Sequence, residues 1–313
     1  MSKKISDEEF ARFFRELGAA KTALNLSMDV RTVYRRRRAI EKQTGELLVS
    51  PNTIQADKPS RNIRKMVDYP DGVCLVGSDA HYWDEVSTAH LAFLDLCKKL
   101  KPKMIILNGD MLDGASISRH APNSWQDVQH IPELAEEMVY CQARLAEIKE
   151  AAPKARRFWP IGNHDARFEM KLAAEARQYV GVPGFSLKDH FPDWQPCASV
   201  WINDNVVVKH RWKGGVHASF NNPAGAGKSM VTGHTHQQRV TPFVDYNGVR
   251  WGVECGTMAE PYGSQFVYTE DNPRQHISGF VVLTFRNGVM MTPEPVRVIE
   301  PGVYEFRGEW RNV

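Results

Sequence analysis

The sequence predicts an α/β protein in which two β-sheets pack together with helices outside them, preceded by a small all-α segment. Three observations predict this fold class. Strand-like and helical patterns alternate over residues 71–190, whereas residues 200–300 read mostly as strands. Asn-Gly turns at residues 247–248 and 287–288 join two pairs of those strands as hairpins. The composition, 42% hydrophobic and 25% charged, is that of an ordinary globular protein long enough for a catalytic domain and a small second domain.

Residues 1–43 are predicted to form the small helical domain. Apolar side chains recur at helical spacing from Phe10 to Leu17, and Gly18 ends that helix. A second short helix follows, and Asp29 is placed to cap the N-terminus of a third. Three short helices with a tight break before the third are the pattern of a helix-turn-helix unit.

Basic residues are concentrated in this N-terminal segment. Residues 1–42 hold eleven Lys or Arg and six Asp or Glu, so they carry +5 while the rest of the chain carries −2. Ala-x-x-Leu at residues 23–26, followed by Thr-Val at 32–33, resembles the core of helix-turn-helix DNA-binding domains, with Ser27 where glycine is usual. The resemblance implies DNA contacts from the third helix through Arg31, Thr32, Arg35, Arg36 and Arg38.

The alternative for this helix is a solvated basic surface that packs on a partner or aids solubility. Residues 35–38 are four consecutive arginines, and their side chains point in different directions around a helix. Not all of them can therefore read bases.

Residues 44–70 read as a linker, because Gly and Pro recur there without a sustained hydrophobic period. Residues 71–313 read as one catalytic domain. Its first predicted strands cover residues 73–77, 104–107, 158–161, 206–209 and 230–232, with helices over 87–100 and 132–151. Four more strands are predicted at residues 240–246, 249–254, 280–285 and 290–291.

The composition also argues against several protein classes. No run of 18 apolar residues exists, so we expect no membrane span, and the N-terminus lacks the apolar region of a secretory signal. The five cysteines are odd in number and widely spaced, and none forms a Cys-x-x-Cys pair. This pattern favours buried free thiols over disulfides or a zinc cluster. We therefore expect a cytoplasmic protein.

Five short fragments with metal-ligand side chains follow predicted strand ends. They are Asp-Ala-His at residues 79–81, Gly-Asp-Met-Leu-Asp at 109–113, Gly-Asn-His-Asp at 162–165, His210, and Gly-His-Thr-His at 233–236. Open α/β sheets gather ligands outside the carboxyl ends of their strands, so we expect these fragments to meet. Carboxylate oxygens and imidazole nitrogens together suit Mn, Fe, Zn or Mg.

In this order, the fragments resemble the motifs of the calcineurin-like metallophosphoesterase superfamily: D-x-H, GD-x-x-D, GNH-D/E, a later His, and GH-x-H. The resemblance covers roughly residues 72–240 and implies a two-sheet phosphoesterase fold. A helix-turn-helix unit followed by a compact phosphoesterase also resembles proteins encoded by bacteriophages.

The resemblance implies a role for each ligand. Asp79, His81 and His236 would hold one metal ion, Asn163, His210 and His234 would hold the other, and Asp110 would bridge the two. Two divalent ions are thus implied, with Mn favoured over Fe, Zn or Mg. His164 would act beside the leaving oxygen, oriented by Asp113 or Asp165. His210 is preferred to His217 as the later ligand, because it directly follows an apolar strand.

Two further features concern phosphate binding. Arg119 and His120, in the loop after the bridging aspartate, are candidates for a phosphate contact. The sequence Ala-Gly-Ala-Gly-Lys-Ser at residues 224–229 looks like a P-loop. However, Asn222 stands where that motif needs its first glycine, and a strand rather than a helix follows. We therefore predict no nucleotide-binding P-loop.

Three functions are consistent with these motifs. The first is a phosphodiesterase or nuclease acting on DNA, with residues 1–43 delivering the substrate. The second is a phosphomonoesterase acting on a phosphoprotein or a small molecule. Against its Ser/Thr phosphatase branch, Gly114 and Asp165 stand where that branch typically carries Arg and Glu. The third is a non-catalytic DNA-binding scaffold, which the intact ligand set argues against.

Aromatic side chains on the loops predicted at the rim of the site bear on the first of these functions. These side chains are Trp125, Trp212 and Phe220. Each of them either stacks on nucleic-acid bases or packs internally.

Overall fold

The computed structural model describes residues 5–50, 63–83, 85–119, 131–270 and 275–313 of the chain. The α-helices in these ranges are α1 (Asp7–Asn25), α2 (Val30–Thr44), α3 (Thr88–Leu100), α4 (Leu134–Ala151), α5 (Arg167–Glu175), α6 (Leu187–His190) and α7 (Ala218–Ala226). Short 3-10 helices cover Ala115–Ile117, Arg177–Tyr179 and Ser264–Thr269.

Fifteen strands are described in the same ranges. The first eight are β1 (Arg64–Val67), β2 (Gly72–Gly77), β3 (Met104–Leu107), β4 (Arg156–Pro160), β5 (Gln195–Cys197), β6 (Ser199–Ile202), β7 (Val206–Val208) and β8 (Ser229–Thr232). The others are β9 (Gln238–Asp245), β10 (Gly248–Cys255), β11 (Gly279–Arg286), β12 (Val289–Met290), β13 (Glu294–Glu300), β14 (Val303–Phe306) and β15 (Glu309–Asn312).

The strands form two sheets that pack face to face. One has the order β1-β6-β7-β8-β10-β9, and the other has the order β15-β14-β13-β11-β2-β3-β4-β5, with β12 paired to β11. Cys74 and Val76 of β2 face the core between the sheets, whereas Leu75 faces the core under α3 and α4. The predicted fold class, a two-sheet sandwich flanked by helices, is confirmed.

Parallel strands at the centre of each sheet bring the motif-bearing loops together. Strands β2, β3, β4 and β5 are parallel in one sheet, and β7, β8 and β10 are parallel in the other. Their carboxyl ends therefore lie at common edges. The two edges meet where the side-chain amide of Asn108, after β3, donates to the carbonyl oxygen of Lys209, after β7, at 3.2 Å.

The N-terminal helices have a small core of their own. Helix α1 is interrupted at Gly18, where φ is 73°, and α2 begins after the Asp29 side chain, which accepts the N–H of Arg31 at 2.7 Å. Buried apolar residues from both helices pack together, among them Phe10 and Val33. The break at Gly18 and the cap at Asp29 agree with the sequence prediction.

Helix α2 docks on the sheet domain through its polar side chains. The Arg37 guanidinium lies 2.7 Å from a carboxylate oxygen of Asp204, and both side chains are buried. The Arg31 guanidinium lies 2.7 Å from the carboxylate of Asp71. The buried Arg37 and the partly exposed Arg31 thus join α2 to the rest of the chain.

The sheet begins earlier in the chain than the sequence indicated. Residues 64–67, placed in the predicted linker of 44–70, form β1 and pair in parallel with β6. The sequence does not indicate this edge strand, because its four residues, which include Lys65 and the exposed Met66, show no apolar alternation.

Two other sequence expectations can be compared with the described residues. All five cysteines are buried and free. No helix in the described part of the chain is both long and apolar enough to cross a bilayer.

Candidate metal centre

Loops from both sheets meet in one buried site. Asp79 N–H donates to the Gly109 carbonyl oxygen at 2.9 Å, and His81 N–H donates to the Asp110 carbonyl oxygen at 3.0 Å. The second sheet contributes His234, whose N–H donates to the Asp79 carboxylate at 2.9 Å. The meeting of the predicted fragments is therefore found in the structure.

The first group of ligand side chains consists of Asp79, His81 and His236. Their ligand atoms lie within 4.8 Å of one another, and all three residues are buried. The Nδ1 atom of His81 lies 3.0 Å from Oδ1 of Asp113, which leaves the His81 Nε2 atom without a hydrogen-bond partner. A histidine with one nitrogen on a carboxylate and the other free is arranged as metal-ligating histidines usually are.

The second group consists of Asp110, His210 and His234, again with ligand atoms within 4.8 Å of one another. His210 Nδ1 lies 2.7 Å from the Asn108 carbonyl oxygen, to which it can donate, and Nε2 lies 3.0 Å from Oδ2 of Asp110. Burial opposes protonation of His210, but the carboxylates of Asp110 and Asp79 outweigh it and raise the pKa of His210 to about 9. For His234, burial and then the charge of His210 lower the pKa.

Asp110 contacts residues on several sides of the site. Its Oδ1 atom accepts the backbone N–H of His164 at 2.8 Å. Burial would raise the pKa of Asp110, but the positive charges of His210, His164 and His81 keep it well below its usual range. A Cβ atom at Gly162 would lie 2.0 Å from Oδ1 of Asp110, so only glycine allows this close approach.

Five of the predicted ligands have left-handed backbone conformations. The φ angles are 53° at Asp79, 43° at His81, 54° at Asp110, 72° at His234 and 57° at His236. Such conformations are uncommon for residues other than glycine and cost on the order of 1 kcal/mol or more each. Their concentration here shows that the surrounding contacts hold these side chains in place against the backbone preference.

The described side chains fit divalent metal ions. Among the described residues, three buried polar atoms of the predicted ligands have no hydrogen-bond partner: His81 Nε2, Asn163 Oδ1 and His236 Nδ1. An unpaired buried polar atom costs about 1–3 kcal/mol, and a metal ion bound by these atoms would remove that cost. Carboxylates, imidazoles and an amide oxygen together match ions such as Mn²⁺, Fe²⁺ or Zn²⁺.

His164 lies beside the first group and is held by Asp113. Its Nδ1 atom lies 3.0 Å from Oδ1 of Asp113, and its ring centroid is 4.8 Å from that of His81. Burial lowers the pKa of His164, but the hydrogen bond to Asp113 and the charge of Asp110 outweigh it and raise that pKa. The His164 side chain is therefore fixed at the edge of the ligand groups.

The comparisons with known proteins found weak similarities. No protein-family model matches the chain. The Gene 54 protein of Mycobacterium phage L5 is 26% identical over 223 residues, which cover 64% of this chain and 83% of that protein.

Among solved structures, Vps29 from Entamoeba histolytica complexed with zinc is 13% identical with a TM-score of 0.40, and the match covers 77% of this chain and 98% of that one. Vps29 from Chaetomium thermophilum is 11% identical with a TM-score of 0.40, covering 78% and 97%. Because these similarities are weak, the chemistry of the site has to be inferred from its own side chains.

The sequence offered Asp113 and Asp165 as candidates to orient the His164 side chain. Asp165 does not contact that side chain. Its buried carboxylate instead accepts backbone N–H groups, from Asp110 at 2.8 Å, Met111 at 2.9 Å and Leu112 at 3.1 Å. Orientation of His164 therefore falls to Asp113 alone, and Asp165 fixes the backbone that carries Asp110.

Glu137 is a residue of the site that the sequence analysis missed. Its buried carboxylate, on α4, accepts the backbone N–H groups of Asp113 and Gly114. Burial and the charge of Asp113 raise the pKa of Glu137 to about 7. The available signal was an acidic residue on the apolar face of an amphipathic helix, four positions before the buried Cys141.

Arg167 is a second residue that was missed. Its guanidinium donates to the Asp113 carbonyl oxygen at 2.8 Å and lies 3.5 Å from Nε2 of His164. Of the two predicted phosphate contacts, Arg119 is exposed, and His120 lies outside the described residues. Trp125 lies outside them as well.

Three of the predicted DNA-contacting arginines form ion pairs within the chain. Arg31 pairs with Asp71, Arg36 with Asp7 at 2.8 Å, and Arg38 with Asp68 at 3.0 Å. Thr32 is half-buried, and Arg35 is exposed without an ion pair to a described residue.

Proposed function

We propose that the chain is a two-metal phosphoesterase that hydrolyses phosphodiester bonds, with DNA as its substrate. One observation carries the proposal: two adjacent groups of metal-ligand side chains, all buried except the exposed His234, lie beside His164, whose ring is held by Asp113. Phosphoester hydrolysis needs a place for metal ions and a positioned proton donor, and this arrangement supplies both.

The metal ligands would be those implied by the motifs. Asp79, His81 and His236 would hold one ion, Asn163, His210 and His234 the other, with Asp110 between them. Two bound divalent ions, with Mn²⁺ favoured, would neutralise phosphate charge and lower the pKa of a water molecule. Asp165 and Glu137 keep the loop of residues 110–114 in place by accepting its five successive N–H groups.

His164 would protonate the leaving oxygen. Nδ1 is directed to Asp113, so Nε2 is the ring atom that would exchange a proton with the leaving oxygen, in place of its 3.5 Å contact with the Arg167 guanidinium. The His164 side chain is 20% exposed, whereas that of His81 is 2% exposed. Solvent access therefore reaches this edge of the site, where a substrate would enter.

The alternative is a phosphomonoesterase, and Arg167 favours it. Gly114 offers no side chain, but Arg167 approaches it closely and places a guanidinium beside His164. A dianionic phosphate would gain more from this charge than a diester would. The same guanidinium also donates to the carbonyl oxygens of Asp113 and Gly114, so these contacts fit a residue that positions this loop as well as one that binds phosphate.

The test is hydrolysis by metal-stripped protein refilled with Mn²⁺. Labelled linear DNA, a phosphopeptide and bis-p-nitrophenyl phosphate would be compared, with Asp110→Asn and the exposed control Asp193→Asn. We expect DNA and diester cleavage by the parent chain and the control, and loss of both in Asp110→Asn. Activity on the phosphopeptide alone would establish a phosphomonoesterase. Metal binding without turnover of any of these substrates would favour the non-catalytic DNA-binding scaffold.

A further inference from the structure

A stretch of forty residues at the metal centre lacks acidic side chains. No Asp or Glu occurs from residue 205 to 244, although 37 of the 313 residues are acidic, so about five would be expected. The stretch contains five basic residues: Lys209, Arg211, Lys213, Lys228 and Arg239. It also contains three predicted metal ligands, and Arg211 directly follows one of them, His210. Lys228 is buried against the Asp204 carbonyl oxygen and does not contribute to the surface there.

Exposed aromatic and basic side chains follow the ligand His210 directly. Arg211 and Lys213 are exposed, and neither forms an ion pair with a residue that the structure describes. Trp212 between them is 44% exposed and Phe220 is 49% exposed. The ammonium of Lys213 lies 5.2 Å from the centre of the Trp212 ring, so a base stacked there would bring its phosphate close to a cation.

The segment of residues 211–220 is held by contacts from outside it. The buried Asn222 amide forms two hydrogen bonds with the Lys213 backbone, at 3.1 and 3.2 Å. The Arg239 guanidinium donates to the Val216 carbonyl oxygen. These contacts fix the backbone, so binding need not order this segment first.

We propose that residues 211–220 form the surface that binds single-stranded nucleic acid and leads it to the metal centre. The inference rests on the proposed function for the direction of the strand, but the binding itself does not depend on catalysis. Exposed rings interleaved with cations suit unpaired bases, which stack on aromatic faces while phosphates meet the positive charges. A duplex keeps its bases stacked internally and could use only the charges.

Binding would be measured by fluorescence anisotropy of a labelled phosphorothioate oligothymidine, so that cleavage does not deplete the probe. The full Mn²⁺-loaded chain would be compared with Trp212→Ala and with the double change Arg211→Gln and Lys213→Gln. The matched controls are Trp310→Ala, 70% exposed on β15, and the exposed Lys188→Gln on α6.

We expect Trp212→Ala to weaken binding about tenfold or more, with the controls unchanged. The double change should weaken binding and flatten its salt dependence. Unchanged affinity in both 211–213 variants, or equal affinity for duplex and single strand, would overturn the proposal. A chain that binds the probe but does not hydrolyse a small diester would refute the proposed function and leave this surface standing.

Discussion

The metal centre and helix α2 are both rich in charge, and they differ in where their polar groups find partners. In the centre, ring nitrogens such as His81 Nε2 and His236 Nδ1 are buried without a hydrogen-bond partner among the residues that the structure describes. On α2, Arg31, Arg37 and Arg38 pair with carboxylates of the sheet domain. The polar atoms of the metal centre are thus arranged to bind a ligand from outside the chain, whereas these arginines of α2 have their ionic partners within it.

This difference shows what a residue pattern leaves open. A sequence pattern gives the type and spacing of charged side chains, but partners distant in the chain decide whether those charges remain available. Asp204 is 167 positions from Arg37, and no local pattern connects them. The structure assigns α2 a docking role, whereas DNA binding by residues 1–43 stays a prediction.

The largest effect is expected in the centre, from His164→Ala. The side chain is placed as a proton donor rather than a ligand, so the rate on a diester should fall by about 10²- to 10⁴-fold. Mn²⁺ binding, measured by calorimetry, should be unchanged. The matched control is His190→Ala at the end of α6. Loss of metal binding together with activity would instead show that His164 is a metal ligand and not only a proton donor.

The next effect tests the docked helix through Arg37→Met. This change leaves the carboxylate of Asp204 buried without its main partner, and breaking such a pair costs about 3–5 kcal/mol. The free energy of unfolding by denaturant should fall by that amount, while turnover per folded molecule stays normal.

The double variant Arg37→Met with Asp204→Asn is the control for Arg37→Met, because removing both charges should restore part of the stability and Asn tolerates the left-handed backbone of residue 204, where φ is 57°. Loss of turnover in the folded Arg37→Met variant would show that docking of α2 shapes the metal centre, so that the two regions are not independent.

The pH dependence of metal binding tests whether His210 in the metal centre is a metal ligand. The folded, metal-free chain keeps His210 protonated up to its pKa of about 9, well above the ordinary value of about 6.5. The stabilisation from this proton is complete below about pH 6.5 and is lost as pH rises through 9. A metal ion must displace the proton, so this group alone makes Mn²⁺ affinity rise about tenfold per unit between those values.

Calorimetry in buffers of different ionisation enthalpy would count the protons released on Mn²⁺ binding at pH 7.5. His210→Ala should release fewer protons than the parent chain, and the control His190→Ala should release the same number. No difference between His210→Ala and the parent would remove His210 from the ligand set.

The sequence predicted which loops meet better than it predicted the contacts around them. Asp79, Asp110 and His234 follow strand ends, and parallel strands bring such ends together whatever the loops do. Glu137 was missed because its partners are backbone N–H groups, which every residue has and no motif marks. The left-handed φ of His236 was also out of reach, since most histidines lack that conformation even though the residue type is enriched in it.

The smallest effect is expected from Arg38→Ala, which removes a predicted DNA contact of α2 that forms an exposed ion pair. Its side chain is 63% exposed and pairs with Asp68, so the free energy of unfolding should fall by only about 0–1 kcal/mol. A double-mutant cycle with Asp68→Asn would isolate that interaction. Affinity for single-stranded DNA should stay within about twofold of the parent, because the guanidinium is engaged by a carboxylate. A larger, salt-dependent loss of affinity would mean that DNA competes successfully with Asp68, and α2 would then bind DNA as well as dock.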